Sequence, residues 1–387
     1  MKPIAAALRD MPRSGIREFM DLAAKLSGVL HLEVGEPGFA TPPHIVEGAC
    51  AALKQGFTKY TPNPGLLSLR EAIVEKLGQK NGIRATVDEV CVTPGAVAGV
   101  FSVLFTILEQ RDEVLIPDPY WPNCKMSILA LRCKPVPYPL HATNAFLPDL
   151  DEIARLVTDK TKAIVVNSPS NPTGAVFPEA AVHQLVQFAA KHDLYLLSDE
   201  IYEDLVFEGQ HFSAARWDED GRVLTVFGFS KSYAMTGWRL GYVVSRPPVS
   251  NVLAKLQEPF VTCAAAVSQK AGEAALRGPQ QCIEEFRLAY KRRRDQGASI
   301  LDRGGVGYSL PHGAFYLLVD ISPTGLDSYP FAQELLMTSR VCVAPGAAFG
   351  RSTEGWVRVS LAADDQVLSE GLGRLVQFVR ERREAHS

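Results

Sequence analysis

Val223-Leu224-Thr225-Val226-Phe227-Gly228-Phe229-Ser230-Lys231-Ser232-Tyr233-Ala234-Met235-Thr236-Gly237-Trp238-Arg239-Leu240-Gly241-Tyr242-Val243-Val244 is the stretch on which the reading of this chain turns. The apolar runs at 223–227 and 240–244, bounded by Gly and Ser, predict two buried strands. Between them lies a loop that presents Lys231 and Arg239 from a rigid base. A lone loop lysine is ordinarily a solvated charge. Its chemical use is as a desolvated amine of lowered pKa that forms a Schiff base with a carbonyl. Arg239, eight residues on, offers a planar fork suited to phosphate.

Working outward, the same pattern repeats upstream. Glu89 to Val97 runs from a strand through Pro94-Gly95 into an apolar helix over 98–108, which points free N–H groups at whatever sits above the turn. Val114 to Ile116 leaves into the loop Pro117-Asp118-Pro119-Tyr120-Trp121-Pro122, and Lys162 to Asn167 ends in Ser168-Pro169-Ser170-Asn171-Pro172-Thr173-Gly174. Asn171, preceding a proline, is restricted to extended geometry. The strand 193–199 closes on Asp199, an acidic group that needs a partner because a buried unpaired carboxylate is costly. Helices are predicted over 16–26, 44–55 and 178–192. Alternation of strands and helices from 89 to 244 predicts an α/β fold with a largely parallel sheet, whose sites gather at the strands' carboxyl ends. Gly95, Asn171, Asp199 and Lys231 all fall at such ends. A long polar helix over 279–302 and strands near 314–319, 341–343 and 356–361 follow, and Arg358 sits within the last apolar run.

Four motifs in order carry a resemblance: Asn171-Pro172-Thr173-Gly174, Ser198-Asp199-Glu200-Ile201-Tyr202, the Lys231 loop, and Trp356-Val357-Arg358-Val359-Ser360-Leu361-Ala362. Together they resemble the class I/II aminotransferases of fold type I, enzymes that use pyridoxal 5′-phosphate, from about Gly35 to about Arg358. The resemblance implies a large cofactor-binding domain with a mostly parallel sheet between helices. A smaller α+β domain would be built from the two chain ends. The expected division is 1–43 for the N-terminal arm, 44–285 for the large domain and 286–387 for the small one.

It also implies roles. Lys231 would link the cofactor and move the α-proton. Asp199 would hold the protonated pyridine nitrogen, while Tyr202 and Asn171 hydrogen-bond the phenolic oxygen. Backbone donors at Gly95, Ala96 and Val97, with Ser230 and Arg239, would hold the phosphate, and Tyr60 would reach the phosphate of a second copy in a homodimer. Trp121 or Tyr120 would stack on the ring. Arg358 and Asn171 would fix the substrate carboxylate beside the Gly35 backbone, and Ile16 would supply an apolar wall. Many relatives carry serine three residues before the lysine; Gly228 stands there in this chain, so the phosphate cup leans more on Ser230 and Arg239.

Composition limits the alternatives. The chain has 387 residues, 47% hydrophobic and 21% charged, with a net charge of −3, so no basic field advertises nucleic acid or an anionic membrane. Lys291-Arg292-Arg293-Arg294 reads as a solvated helix face. Seven scattered cysteines without a C-x-x-C pair argue against a disulfide framework or a metal site and fit a reducing cytoplasm. The apolar patch before Arg9 and Asp10 is too short for a signal peptide, and no apolar run reaches membrane-spanning length. The expected activity is ping-pong transamination between an L-amino acid and a 2-oxo acid, with 2-oxoglutarate/glutamate as one pair and an aspartate, aromatic, alanine or branched-chain donor. A carbon–sulfur β-lyase and a non-catalytic ligand sensor are the competing readings.

Overall fold

The computed structural model describes residues 2–9 and 11–386; Met1, Asp10 and Ser387 lie outside, and with them the expectation that the N-terminal apolar patch ends at Asp10. Seven strands form the central sheet: β2 (Val90–Thr93), β3 (Glu113–Asp118), β4 (Lys134–Pro139), β5 (Thr161–Asn167), β6 (Tyr195–Asp199), β7 (Val223–Gly228) and β8 (Gly241–Val244). They lie in the order β2-β8-β7-β6-β5-β3-β4. Most of these strands are buried along nearly their full length, as expected of a sheet covered by helices on both faces. β8 alone runs opposite to its neighbours, antiparallel to both β7 and β2. The connection from β7 to β8 is the Lys231 loop itself. It holds no crossover helix, and a parallel return would require one.

Glycine permits the tight packing at this edge of the sheet. A Cβ on Gly241 would lie 2.6 Å from the Ala96 nitrogen, so β8 can abut the turn that starts the helix Ala96–Ile107. Register then aligns the strand ends: Asn167 pairs with Asp199, and Asp199 with Val226.

The smaller sheet has the order β12-β13-β10-β9, made of β9 (Tyr308–Ser309), β10 (Tyr316–Asp320), β12 (Ala344–Pro345) and β13 (Trp356–Ser360). Beside it β1 (Leu30–His31) pairs in parallel with β11 (Val341–Cys342). One apolar cluster accordingly joins Phe19 and Leu32 from the start of the chain to Phe331, Leu336, Val359, Leu372 and Phe378 near its end. The predicted polar helix spans Gln281–Gly304 and buries Phe286, Tyr290, Arg293 and Arg294. The basic run is therefore only partly solvated. Arg293 pairs with Asp365, and Arg294 with Glu208 and Asp295. Among the described residues no helix is long and apolar enough to cross a membrane.

Candidate active site

A cavity of about 540 Å³ opens where the carboxyl ends of β5, β6 and β7 meet the small sheet. Asn171, Asp199, Tyr202, Ser230, Lys231, Arg239 and Arg358 line it, as do Ile16, Gly35, Ala96, Val97 and Trp121. Of the predicted site residues, Tyr60 is not brought in. It stands 86% exposed on a loop outside this cavity, and no contact within one chain explains an aromatic ring left so open. Gly95 borders the cavity through its packing on Arg239: a Cβ there would lie 2.5 Å from Arg239 Nη2, at a φ of 86° that also favours glycine.

Lys231 follows β7 and donates from Nζ to the Gly35 carbonyl at 2.5 Å. Burial, then the nearby Arg358 and, more weakly, Arg239, push its amine down to about 8; Glu36 and Asp199 oppose the shift. Asp199 ends β6. Its Oδ1 accepts from the Ile201 N–H at 3.2 Å, yet burial raises the carboxyl to about 7. A carboxylate so placed calls for a cation to keep it ionised. Tyr202 shares a 2.7 Å hydrogen bond with the Tyr316 hydroxyl, and burial raises its phenol well above the ordinary value.

Arg358 on β13 is 1% exposed. Its Nη1 donates to Asn171 Oδ1 at 3.0 Å and its Nη2 to the Glu33 carbonyl, while Nε is buried without a partner. The guanidinium lies between the rings of Tyr316 and Phe349, 4.2 and 4.8 Å from their centroids. Asn171 is held in turn by its own N–H, which donates to Asn167 Oδ1 at 2.8 Å; Asn167 Nδ2 donates to the Asp199 carbonyl at 3.0 Å. Arg358, Asn171, Asn167 and Asp199 are thus one connected network.

The anion end is built from the Ala96–Ile107 helix and the Lys231 loop. Gly95 uses its N–H on the Thr93 carbonyl at 2.7 Å, so of the three predicted backbone donors Ala96 and Val97 keep their N–H groups free in the helix's first turn. Arg239 is oriented by a 2.8 Å bond from Nη1 to the Thr236 carbonyl. Thr236 in turn donates to the Glu36 carboxylate, tying the loop to the Gly35 segment. At Gly228 a Cβ would lie 2.4 Å from Ile201 Cδ1, so a serine there would require the end of the Ile201 side chain to shift. Of the two adjacent aromatics, Trp121 lines the cavity, whereas Tyr120 is buried, its hydroxyl accepting from Lys125 Nζ and its N–H donating to the Phe349 carbonyl.

Residues that sequence reasoning did not single out complete the cavity. Tyr316 orients both Tyr202 and Arg358, and Glu33 holds Arg358 through its backbone. Arg17 and Met20 line the wall beside Ile16. The helical spacing of 16, 17 and 20 was the available signal for that wall; nothing in the alternation of β10 marked Tyr316 as facing a ligand. An anion cradle at a helix N-terminus, a buried carboxylate awaiting a cation and a desolvated amine between them fit one group: a phosphorylated pyridine aldehyde.

A family profile described as Aminotransferase class I and II matches residues 27–375. The chain is 39% identical to aromatic-amino-acid aminotransferase 2 of Thermococcus litoralis, and 40% identical to an aspartate aminotransferase of Pyrococcus abyssi. In each case the match covers 96% of both chains. The solved structure of the Thermus thermophilus aspartate aminotransferase with maleate superposes with a TM-score of 0.94 at 38% identity, covering 98% of this chain and 100% of that one. Motifs, site geometry and relatives agree, and the chain belongs to the class I and II aminotransferases.

Proposed function

We propose that this pyridoxal phosphate-dependent aminotransferase performs both half-reactions in the cavity around Lys231, with Asp199, Arg358 and Asn171 as its principal partners. Bound there, the cofactor supplies an electron-withdrawing ring that acidifies the substrate's α C–H bond. Lys231 Nζ carries the cofactor linkage and, once released, takes and returns the α-proton; an amine lowered to about 8 is partly unprotonated near neutrality and suited to both tasks. Asp199 keeps the ring nitrogen cationic. The Tyr202 hydroxyl and the Asn171 amide hold the phenolic oxygen. Ala96 and Val97 N–H groups, the Ser230 hydroxyl and the Arg239 fork grip the phosphate, with Gly95 shaping the turn. Trp121 stacks on the ring face. Arg358 takes the substrate α-carboxylate bidentately, aided by Asn171 and the Gly35 backbone.

The observation that carries this reading is the convergence of Lys231, Asp199 and Arg358 on one cavity, with the amine lowered and the carboxyl raised toward each other. Ile16, Met20, Val97 and Trp121 form an apolar wall, which favours an aromatic or aliphatic donor. The exposed Tyr60 is assigned to the phosphate of a second copy, in a homodimer. The chain divides into a large domain over 44–285 and a smaller one from 1–43 with 286–387. Seven unpaired thiols favour the cytoplasm.

The test is the visible absorption of the purified holoenzyme as L-amino acids are added singly. Conversion of the bound cofactor band to the pyridoxamine form supports transamination, and the fastest amino acid names the donor. Release of ammonia and a 2-oxo acid without any acceptor would replace this reading with a lyase.

A further inference from the structure

A second cleft, of about 580 Å³, lies at the opposite end of the sheet from the Lys231 loop, where Val223 begins β7 and Val244 ends β8. Three arginines from separate segments line it: Arg84, Arg216 and Arg246. Between them their side chains make one hydrogen bond, from Arg246 Nη1 to the Glu219 carbonyl at 3.1 Å. Arg84 is exposed and, among the described residues, has no hydrogen-bond, ion-pair or ring partner. Arg216 lies against Gly82 and the Trp217 ring, and it pairs with Glu179 only at 3.9 Å. Two carboxylates share the cleft, and both are largely committed. Glu89 Oε2 accepts from the Thr86 N–H at 2.7 Å. Asp218 Oδ1 accepts from the N–H groups of Gly221, Arg222 and Val223, and its Oδ2 stands 3.8 Å from Arg246 Nε. Ser245, directly after β8, also lines the cleft; it is 3% exposed and its hydroxyl has no hydrogen-bond partner.

We propose that this cleft binds a phosphate monoester, its dianionic phosphate shared by Arg84, Arg216 and Arg246. Like charges gathered at one cleft repel, and walls of low dielectric focus their field. One dianion held among guanidinium forks removes that repulsion and engages donors that otherwise face solvent. A bare phosphate would leave most of the cleft unfilled. Ile83, Val223 and Val244 are buried and line it, so the organic part of an ester has apolar surface to cover. The site is separate from the cavity around Lys231: no residue lines both.

The experiment is calorimetry on the holoenzyme, titrated with glycerol 3-phosphate, inorganic phosphate and glycerol. The parent should bind one glycerol 3-phosphate per chain, more tightly than inorganic phosphate, and should not bind glycerol. Arg84→Gln should weaken binding roughly tenfold and Arg84→Gln/Arg246→Gln roughly a hundredfold, as charge-assisted hydrogen bonds are removed. Arg84→Lys should keep part of the affinity. Transamination by these variants should stay at the parent rate, and glycerol 3-phosphate should raise the melting temperature of the parent but not of the double variant. Arg84 has no partner to lose, so its single variant keeps the test decisive should the double variant unfold. No binding by the parent at millimolar glycerol 3-phosphate would overturn the proposal, as would equal binding by parent and Arg84→Gln. Binding lost in Arg358→Gln but kept in the arginine variants of the cleft would overturn it too, by placing the anion in the substrate site. Inorganic phosphate binding as tightly as the ester would overturn the choice of a monoester.

Discussion

Replacing Asp199 by asparagine separates what this carboxylate costs the empty protein from what it contributes once a cation is present. Burial raises its folded-state pKa from the ordinary 3.8 to about 7. Between those values the native state binds a proton that the unfolded chain does not, so stability from this group is present at low pH and is lost as pH rises from about 4 to about 7. The loss is complete above the upper value and amounts to roughly 4 kcal/mol if the whole shift is expressed. Asp199→Asn keeps an oxygen for the Ile201 N–H and carries no charge to desolvate. Cofactor-free Asp199→Asn protein should therefore match the parent near pH 4.5 and exceed it in denaturant stability at pH 8. Taking parent minus variant cancels other titrating groups. Added pyridoxal phosphate should reverse the order, since only the parent offers a counter-charge to the ring nitrogen and gains the full stabilisation of a tightly held ligand. A variant less stable than the cofactor-free parent at pH 8, or a difference that does not change with pH, would refute the reasoning.

Four further outcomes are expected. In cofactor-free protein, the reaction of Lys231 with an amine reagent should inflect near pH 8, and Arg358→Gln should move the inflection upward by removing a neighbouring positive charge; peptide mapping against pH checks this. Lys231→Ala should abolish the covalent cofactor band and nearly all turnover, and normal turnover in that variant would contradict the assignment. Arg358→Gln should raise KM for every amino acid and oxo acid by roughly 10²-fold, the worth of lost charge-assisted hydrogen bonds. Tyr316→Phe should lower kcat less than tenfold with little change in KM, because about 1 kcal/mol of hydrogen bond to Tyr202 is lost while the ring against Arg358 remains. Tyr316→Leu should raise KM as well.

Much of the site was legible because its chemistry sits at strand ends, where an apolar run stops on a polar residue. Asn171, Asp199 and Lys231 each follow that form, and Arg358 stands out as a charge inside an alternating strand. What could not be read depended on through-space neighbours. A glycine at 228 reads as one hydroxyl fewer for the phosphate, and the sequence does not show that Ile201 Cδ1 lies 2.4 Å from where a Cβ would stand. Gly95 read as a backbone donor, but whether its N–H is free depends on a turn closed by the Thr93 carbonyl. Tyr316 and Arg17 carry no local signature, since an aromatic in a strand and an arginine on a helix are ordinary. The reversal of β8 follows from a connection that holds no crossover helix, and the Gly- and Ser-bounded Lys231 loop carries that topology as well as its chemistry.

The parallel pairing of Leu30 with Val341 and of His31 with Cys342 has a consequence for biosynthesis. On the ribosome the chain emerges N-terminus first, at about 5–20 residues per second, so the Leu30 segment waits on the order of tens of seconds for its mate. Over that interval the strands from Val90 to Val244 can assemble from nearby sequence, while Phe19 and Leu32 still lack their apolar partners. The Gly35 carbonyl reaches Lys231 only once that delayed pairing closes. The nascent enzyme therefore acquires its sheet and its lysine before it acquires a substrate pocket, and the cavity closes only after Val341–Cys342 and Arg358 have been made.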